Sequence, residues 1–416
     1  MITRVLIALL LLCGTAHGGS MIPWMIANSG AVLKFHALAP DPTTYEMTGV
    51  LKGVGSMTVA RTTMQYVLDA DGVYQTITAN NPAWYGARYS GGVAYGDDGA
   101  GNLLSPTPML QVDPALTNSL TYSSDLTNAA WTATNTITAY TSVGLTGAPN
   151  AATRLTATAG NATVIRAAAT VAASATHATR WFIKRITGTG TIELTLDNGS
   201  TWQDITADVG AGYTSIAVEQ ATLTGPQVGI RLVTSGDAVD VGNVGLFTEK
   251  TIAQVRGSGP IFTTTAAVST GAQTTSFDIA NHSDVNGAYY LEASPFFTYP
   301  LNPGHAFLAV GSYLLNQLGN ESRLRAYDGT ATAASPLFSH SLGETLQMGL
   351  VYGNGKMVLN LDGVYGNTVN YDGAFNGSSI QVGVGPTYYS CLYRNLRIYW
   401  GGPNDQRKLK IDELMP

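Results

Sequence analysis

Along much of this chain apolar residues fall at every second position, in short runs broken by glycine and asparagine turns. In residues 191–196, Ile192, Leu194 and Leu196 take one side and Glu193 the other. Residues 227–232 repeat the pattern with Val228, Ile230 and Leu232. So do Leu346, Met348, Leu350 and Tyr352, and after them Met357, Leu359 and Leu361. A period of two marks strands with one buried and one wet face, as in antiparallel sandwiches. In the last long run, Leu392, Leu396, Ile398 and Trp400 are expected on one face, with Arg394 interrupting it. Turn signals sit between the runs. Asp71-Gly72, Asn198-Gly199 and Asp362-Gly363 are dipeptides that accept positive φ at the centre of a tight hairpin, and Gly353 to Lys356 turns the chain as well. Residues 404–414 read as a helix capped by Asn404.

The pattern is not uniform. Residues 20–113 open with Met21-Ile22-Pro23-Trp24-Met25-Ile26, an apolar patch without a local partner. Residues 85–102 are rich in glycine and tyrosine and read as irregular, while 103–114 hold three prolines and read as a linker or extended arm. Two regions of cleaner alternation follow, 116–250 and 258–416, each with enough strands and turns to close a core. The expected fold is therefore all-β, with two antiparallel β-sandwich domains after an irregular β-rich N-terminal region. That region, 20–113, is assigned attachment and assembly through Met21, Ile22, Trp24 and Ile26. On this reading it is dispensable for folding of the two sandwiches.

Composition narrows the function. Of 416 residues 12% are charged, against about 25% in an ordinary soluble domain. With 45% hydrophobic residues and a net charge of -6, the chain does not have the composition of a disordered protein. Its polar surface is built from Thr, Ser and Asn. Mild acidity without a basic patch argues against nucleic acid. The two cysteines, Cys13 and Cys391, exclude a disulfide framework, and Cys391 reads as a buried strand residue. Residues 1–19 have the shape of an export leader, with Arg4 before the apolar run 5–12 and a small-residue site at Gly14-Thr15-Ala16.

Catalytic patterns are lacking. The six histidines have no metal spacing, there is no nucleophile elbow, and Asp and Glu are too scattered to offer a paired-carboxylate site. Binding is the expected activity, no cofactor is expected, and enzyme function is not. Candidate sugar-stacking aromatics are Trp202, which follows a turn, and Tyr388, Tyr389 and Tyr393 near the last strand; core or interface packing is the competing reading for the tyrosines. Trp131 and Trp181 are expected in the framework.

Several stretches resemble structural proteins of tailed bacteriophages. Residues 118–131, running from Asn118-Ser119-Leu120-Thr121-Tyr122 to Asn128-Ala129-Ala130-Trp131, are similar to the opening of a carbohydrate-binding-module-like jelly roll in that family. Ala148-Pro149-Asn150-Ala151-Ala152-Thr153-Arg154-Leu155 and Trp181-Phe182-Ile183-Lys184 resemble later strands of the same module. Tyr66 to Gln75, followed by Asn81-Pro82, resembles a segment that precedes such modules. Gly259-Pro260-Ile261-Phe262-Thr263, Ala326-Tyr327-Asp328-Gly329 and residues 392–400 resemble a concanavalin-like (laminin-G-like) sandwich. The resemblance implies a jelly roll at 116–250 and a concanavalin-like domain at 258–416 with a short C-terminal helix. It implies a virion surface component, such as a tail fibre, receptor-binding or capsid decoration protein, that binds host-surface glycan beside other virion proteins as a homotrimer. It leaves calcium open, with Asp278 and Asp284 as candidates. The chain departs from the family where Pro82-Ala83-Trp84-Tyr85 replaces its usual Pro-Arg-Phe-Asp, and in carrying a leader. The other readings are a purely structural virion protein and an exported bacterial adhesin at the cell surface.

Overall fold

Alternating apolar residues do pair into sheets, but not all within the regions in which they occur. The computed structural model describes residues 35–38, 41, 44, 46–47, 57–166, 174–278, 287–298, 304–310, 313–317, 322–353, 355–372, 377–384 and 389–400. The leader, the Met21, Ile22, Trp24 and Ile26 patch, Asp284, Tyr388 and the C-terminal helix expected at 404–414 lie outside these residues.

The smaller sandwich is made wholly from 131–247. One five-stranded antiparallel sheet runs in the order Trp131–Thr134, Ala162–Arg166, Gly229–Leu232, Ile192–Thr195, Gln203–Asp204. The other runs Thr136–Ser142, Ala152–Ala157, Ala238–Phe247, Ala175–Thr187, Thr214–Leu223. Ile192, Leu194, Ile230, Leu232, Val239, Val241 and Trp181 meet between them. Trp131 and Trp181 pack edge-to-face at 6.1 Å in this core, so the framework expectation for both holds. The Asn198-Gly199 turn has both residues in the left-handed region, at φ 60° and 79°, as a type I′ hairpin requires.

The larger sandwich draws on both ends of the chain. Its seven-stranded sheet runs Met57–Ala60, Thr274–Asp278, Ser379–Val384, Ala306–Val310, Tyr313–Gln317, Leu324–Tyr327, Thr332–Ala334. The facing sheet runs Val364–Tyr365, Lys356–Leu361, Leu346–Gly353, Gly287–Pro295, Cys391–Trp400, Met109–Val112, Ala83–Tyr85, with Phe35–Ala37 added beside Cys391–Trp400 and Val369–Asn370 beside Lys356–Leu361. Trp84, Leu110 and Val112 are buried in one core with Leu291, Met348, Leu359, Ile380 and Tyr393. Phe35–Ala37, Met57–Ala60, Ala83–Tyr85 and Met109–Val112 are therefore strands of the larger sandwich, which corrects the expectation that the two sandwiches fold without residues 20–113. The smaller sandwich is an insert between Met109–Val112 and Thr274–Asp278.

Three local expectations change with this. Met109–Val112 is a strand buried on both faces, so it has no alternation to detect, and the flanking prolines disguised it as a linker. Residues 85–102 contain a hairpin, Arg88–Ser90 with Val93–Tyr95, turned by Gly91 and Gly92 at φ 58° and 83°. On Cys391–Trp400, Asn395 stands at φ 54°, and the register against Gly287–Pro295 slips beside it. This bulge inserts one residue and reverses which face is buried. Cys391 and Tyr393 before it and Leu396 and Ile398 after it all face the core, while Leu392 turns to the other face with Arg394. Arg394 lies within the strand, ion-paired to Glu292 at 2.6 Å.

Leu116–Asn118 and Val268–Thr270 pair antiparallel where the chain enters and leaves the insert. The seam between the sandwiches is polar. Asn118 uses its whole amide: Nδ2 donates to the Val244 and Ile261 carbonyls at 2.9 Å each, and Oδ1 accepts from the Leu120 and Leu246 N–H groups at 3.1 Å each. Arg180, fully buried, donates to the carbonyls of Val255, Ser258 and Gly259 at 2.5–2.7 Å and to Ser258 Oγ. Burial lowers its pKa to about 10, against the raising influence of Tyr74 and Asp113.

Candidate binding surface

The Asn198-Gly199 turn delivers Trp202 to the outer face of the smaller sandwich's first sheet. Asp197 builds the turn, accepting hydrogen bonds from Thr195 Oγ1, Gln220 Nε2, and Thr201 through both N–H and hydroxyl, at 2.7–2.9 Å. Burial opposes its charge, but these bonds outweigh it and hold the pKa down to about 2. Gln220 belongs to the opposite sheet, so the turn is tied across the edge of the sandwich. Gly199 has a second constraint beyond its φ: a Cβ there would lie 2.9 Å from Trp202 Cζ2. The indole edge rests on bare backbone.

Trp202 is half-buried and still reaches solvent. The Arg231 guanidinium lies 4.5 Å from the ring centre, and its Nε meets Glu193 Oε2 at 2.5 Å. Register explains the grouping. Glu193 stands opposite Arg231 on one side and Asp204 on the other, and Thr163 stands opposite Arg231. Thr163, Arg231, Glu193 and Asp204 thus form one row across the outer face, ending beside Trp202. A partly exposed ring beneath a guanidinium that is itself paired to a carboxylate can pack on an apolar group while polar partners nearby exchange hydrogen bonds. Alternation in the sequence put Glu193 and Arg231 on the wet faces of their strands. That they meet at Trp202 depends on pairing across 38 residues, which local periodicity does not carry.

Two of the three candidate tyrosines, Tyr389 and Tyr393, are a correction. Tyr389 and Tyr393 are 3% and 0% exposed. The bulge and its register turn Tyr393 inward, where its hydroxyl meets His305 Nε2 at 2.9 Å, and Tyr389 packs on Phe297 at 5.0 Å. Neither ring offers a surface to a ligand. Burial lowers the His305 pKa to about 3, so the imidazole in this aromatic cage is neutral.

Two other polar clusters spend their cations on internal partners. On the smaller sandwich's second sheet, Asp240 accepts from Arg154 Nε and Ser142 Oγ at 2.8 Å each, with Lys184 Nζ at 3.4 Å and over the Tyr213 ring at 4.6 Å. At the seam, Arg61 spends its guanidinium on Gln65, Gln273 and the carbonyls of Thr63, Thr78 and Asn81. The cavity beside it, lined by Arg61, Gln65, Tyr66, Asp113 and Gly259 among others, holds about 10 Å³, room for roughly one water. Asp278 ends its strand exposed, and among the described residues no three His, Cys, Asp or Glu side chains group as metal ligands.

No protein-family profile matches the chain, and neither does any curated protein. Among solved structures, it is similar to the C-terminal CBM6 of the laminarinase LamC from Zobellia galactanivorans, at 9% identity over 32% of this chain and 99% of that one, with a TM-score of 0.23. It is similar also to the CBM22 tandem of Xyn10C from Paenibacillus barcinonensis, at 8% identity over 70% and 98% with a TM-score of 0.23. Domains LG4-5 of the mouse laminin α1 chain match at 11% identity over 60% and 89%, again with a TM-score of 0.23. Scores this low carry no argument about the chain; the sandwich architecture is read from its own sheets.

Proposed function

We propose that this chain binds glycan on the outer face of its smaller sandwich, with Trp202 as the stacking platform, and that it does so as a surface component of a virion. The carrying observation is the half-buried Trp202 ring, held against Gly199 with the guanidinium of the Arg231–Glu193 pair over it and still reaching solvent. The C–H face of a sugar fits the ring, and its hydroxyls fit the carboxylate and guanidinium. Binding without turnover is the proposed activity. The virion setting draws its support from the bacteriophage-like stretches at 118–131, 148–155 and 181–184 and from the low surface charge. Many copies on one particle would turn a weak site into firm adhesion.

The test is binding of the full-length chain to a panel of immobilised bacterial surface polysaccharides, with Trp202→Ala alongside. Removing the platform is expected to weaken binding at least tenfold, about 1.4 kcal/mol, with the fold unchanged by circular dichroism. Equal binding by the variant refutes the site, and no binding to any polysaccharide refutes the function. Mass spectrometry of purified particles tests the setting, which absence of the chain would refute.

A further inference from the structure

The two edges of the smaller sandwich's second sheet are treated differently. Thr214–Leu223 forms one edge and is guarded. The Glu219 carboxylate takes the Ile252 N–H of the short helix Ile252–Val255 at 2.5 Å, and the Glu219 carbonyl takes Gln203 Nε2 at 3.1 Å. Thr136–Ser142 forms the other edge, and among the described residues no strand lies beyond it. The Thr158 N–H donates to the Asn135 carbonyl at 2.8 Å, which with the observed register makes Ile137 and Ala139 the residues bonded to the neighbouring strand. Thr136 and Thr138 therefore aim their N–H and C=O groups outward. Unpaired edges are ordinarily blunted by charge, proline or brevity. This one has seven residues, and no charged residue stands anywhere between Asp125 and Arg154. Arg154, the nearest cation, is neutralised by Asp240. Ile137 is 59% exposed on this strand.

We propose that this edge pairs with the same edge of a second copy, antiparallel, about a two-fold axis at Ile137. In that register Thr136 of each copy bonds Thr138 of the other, and the two Ile137 side chains cover one another. A neutral strand meets no repulsion from its own copy, whereas the other sheet's exposed edge, Trp131–Thr134, has only four residues. Joining the edges makes one ten-stranded sheet through two sandwiches. The contact is self-complementary, so it closes as a dimer, in place of the trimer implied by the bacteriophage resemblance. It does not depend on the glycan reading.

Sedimentation of the full-length chain over a range of micromolar concentrations tests it, with Ile137→Lys as the variant. Wild type is expected at twice the mass of a single chain. The variant, which places two ammonium groups directly opposite each other, is expected at the single mass with unchanged circular dichroism. Ile137→Cys supplies a second readout: mild oxidation should link two copies covalently, because directly opposed, non-bonded strand positions lie within disulfide reach. Wild type that stays monomeric or sediments as a trimer, a dimer indifferent to Ile137→Lys, or failure of Ile137→Cys to cross-link beyond the wild-type background overturns the proposal.

Discussion

Replacing Arg180 with alanine should uncouple the two sandwiches. The guanidinium sits 1% exposed at the seam and holds the carbonyls of Val255, Ser258 and Gly259. Truncation leaves the Ser258 and Gly259 carbonyls facing an apolar gap beside Phe182 and Phe247, whose rings lie 5.2 and 5.4 Å from the guanidinium, while the Val255 carbonyl keeps the Ser258 hydroxyl at 3.0 Å. Each orphaned buried group costs about 1–3 kcal/mol. Against this, removing the cation relieves its own desolvation, which is large here because burial already depresses its pKa. Breaking a buried charged arrangement from one side typically costs about 3–5 kcal/mol net, and about 4 kcal/mol is expected. The variant also removes positive charge near Asp113, whose pKa burial already raises. Calorimetry of the full chain is the assay. Wild type should melt in one transition, and Arg180→Ala in two, with the larger sandwich melting first because it has lost its clamp on the insert. Arg180→Lys, which keeps the charge but not the fork of donors, should fall between. A single transition in Arg180→Ala displaced by less than about 1 kcal/mol would show that the units stay coupled without Arg180 and would refute its role as the clamp.

Acid should weaken the larger sandwich. The His305 pKa is lowered to about 3 in the fold against an ordinary value near 6.5, so the unfolded chain binds the proton first and stability is lost as pH falls from 6.5 toward 3, by about 1.4 kcal/mol per unit. Denaturation curves at pH 5.5 and 4.5 should show close to this slope, and His305→Gln should flatten it; an unchanged slope would assign it to other groups, such as His340, also lowered by burial. At the bulge, Asn395→Val is expected to cost about 1–3 kcal/mol because a β-branched residue resists φ 54°, while Asn395→Gly should cost little more than the bond to Glu292 at 2.9 Å; equal losses in urea titrations would remove the strain argument. Deleting residues 57–113 should leave an aggregating chain, since it strips three strands from the larger sandwich, whereas residues 116–263 alone should be soluble and melt cooperatively. A soluble deletion variant would restore the separate attachment region expected from sequence.

What the sequence disclosed followed the range of the interaction. Hairpins and half-buried strands were legible because alternation and turn chemistry are local: Ile192 to Leu196, the Asn198-Gly199 turn and the Leu346–Gly353 strand lie where their patterns placed them. Met109–Val112 was not, because a strand covered on both faces shows no period. The face of Tyr393 was misjudged because one residue at positive φ reverses alternation, and Asn395 resembles any polar strand residue. The domain boundaries failed for a different reason. Met57–Ala60 pairs with Thr274–Asp278 across more than 200 residues, and no window of sequence reports a partner so distant. At the candidate surface, Trp202 was legible as an aromatic after a turn, while Arg231 and Glu193 gained their place only through strand pairing.

The inserted arrangement imposes an order in time. Val112 finds its place beside Cys391, and a ribosome adding about 5–20 residues per second needs roughly 15–60 s to travel between them. During that interval the smaller sandwich, complete once residue 247 has emerged, can close, while the hydrophobic strands made first wait unpaired. The newborn chain thus carries its stickiest segment ahead of a finished module. Slowing translation beyond residue 250 should lengthen that exposure and raise the fraction lost to aggregation, without altering any contact in the finished fold.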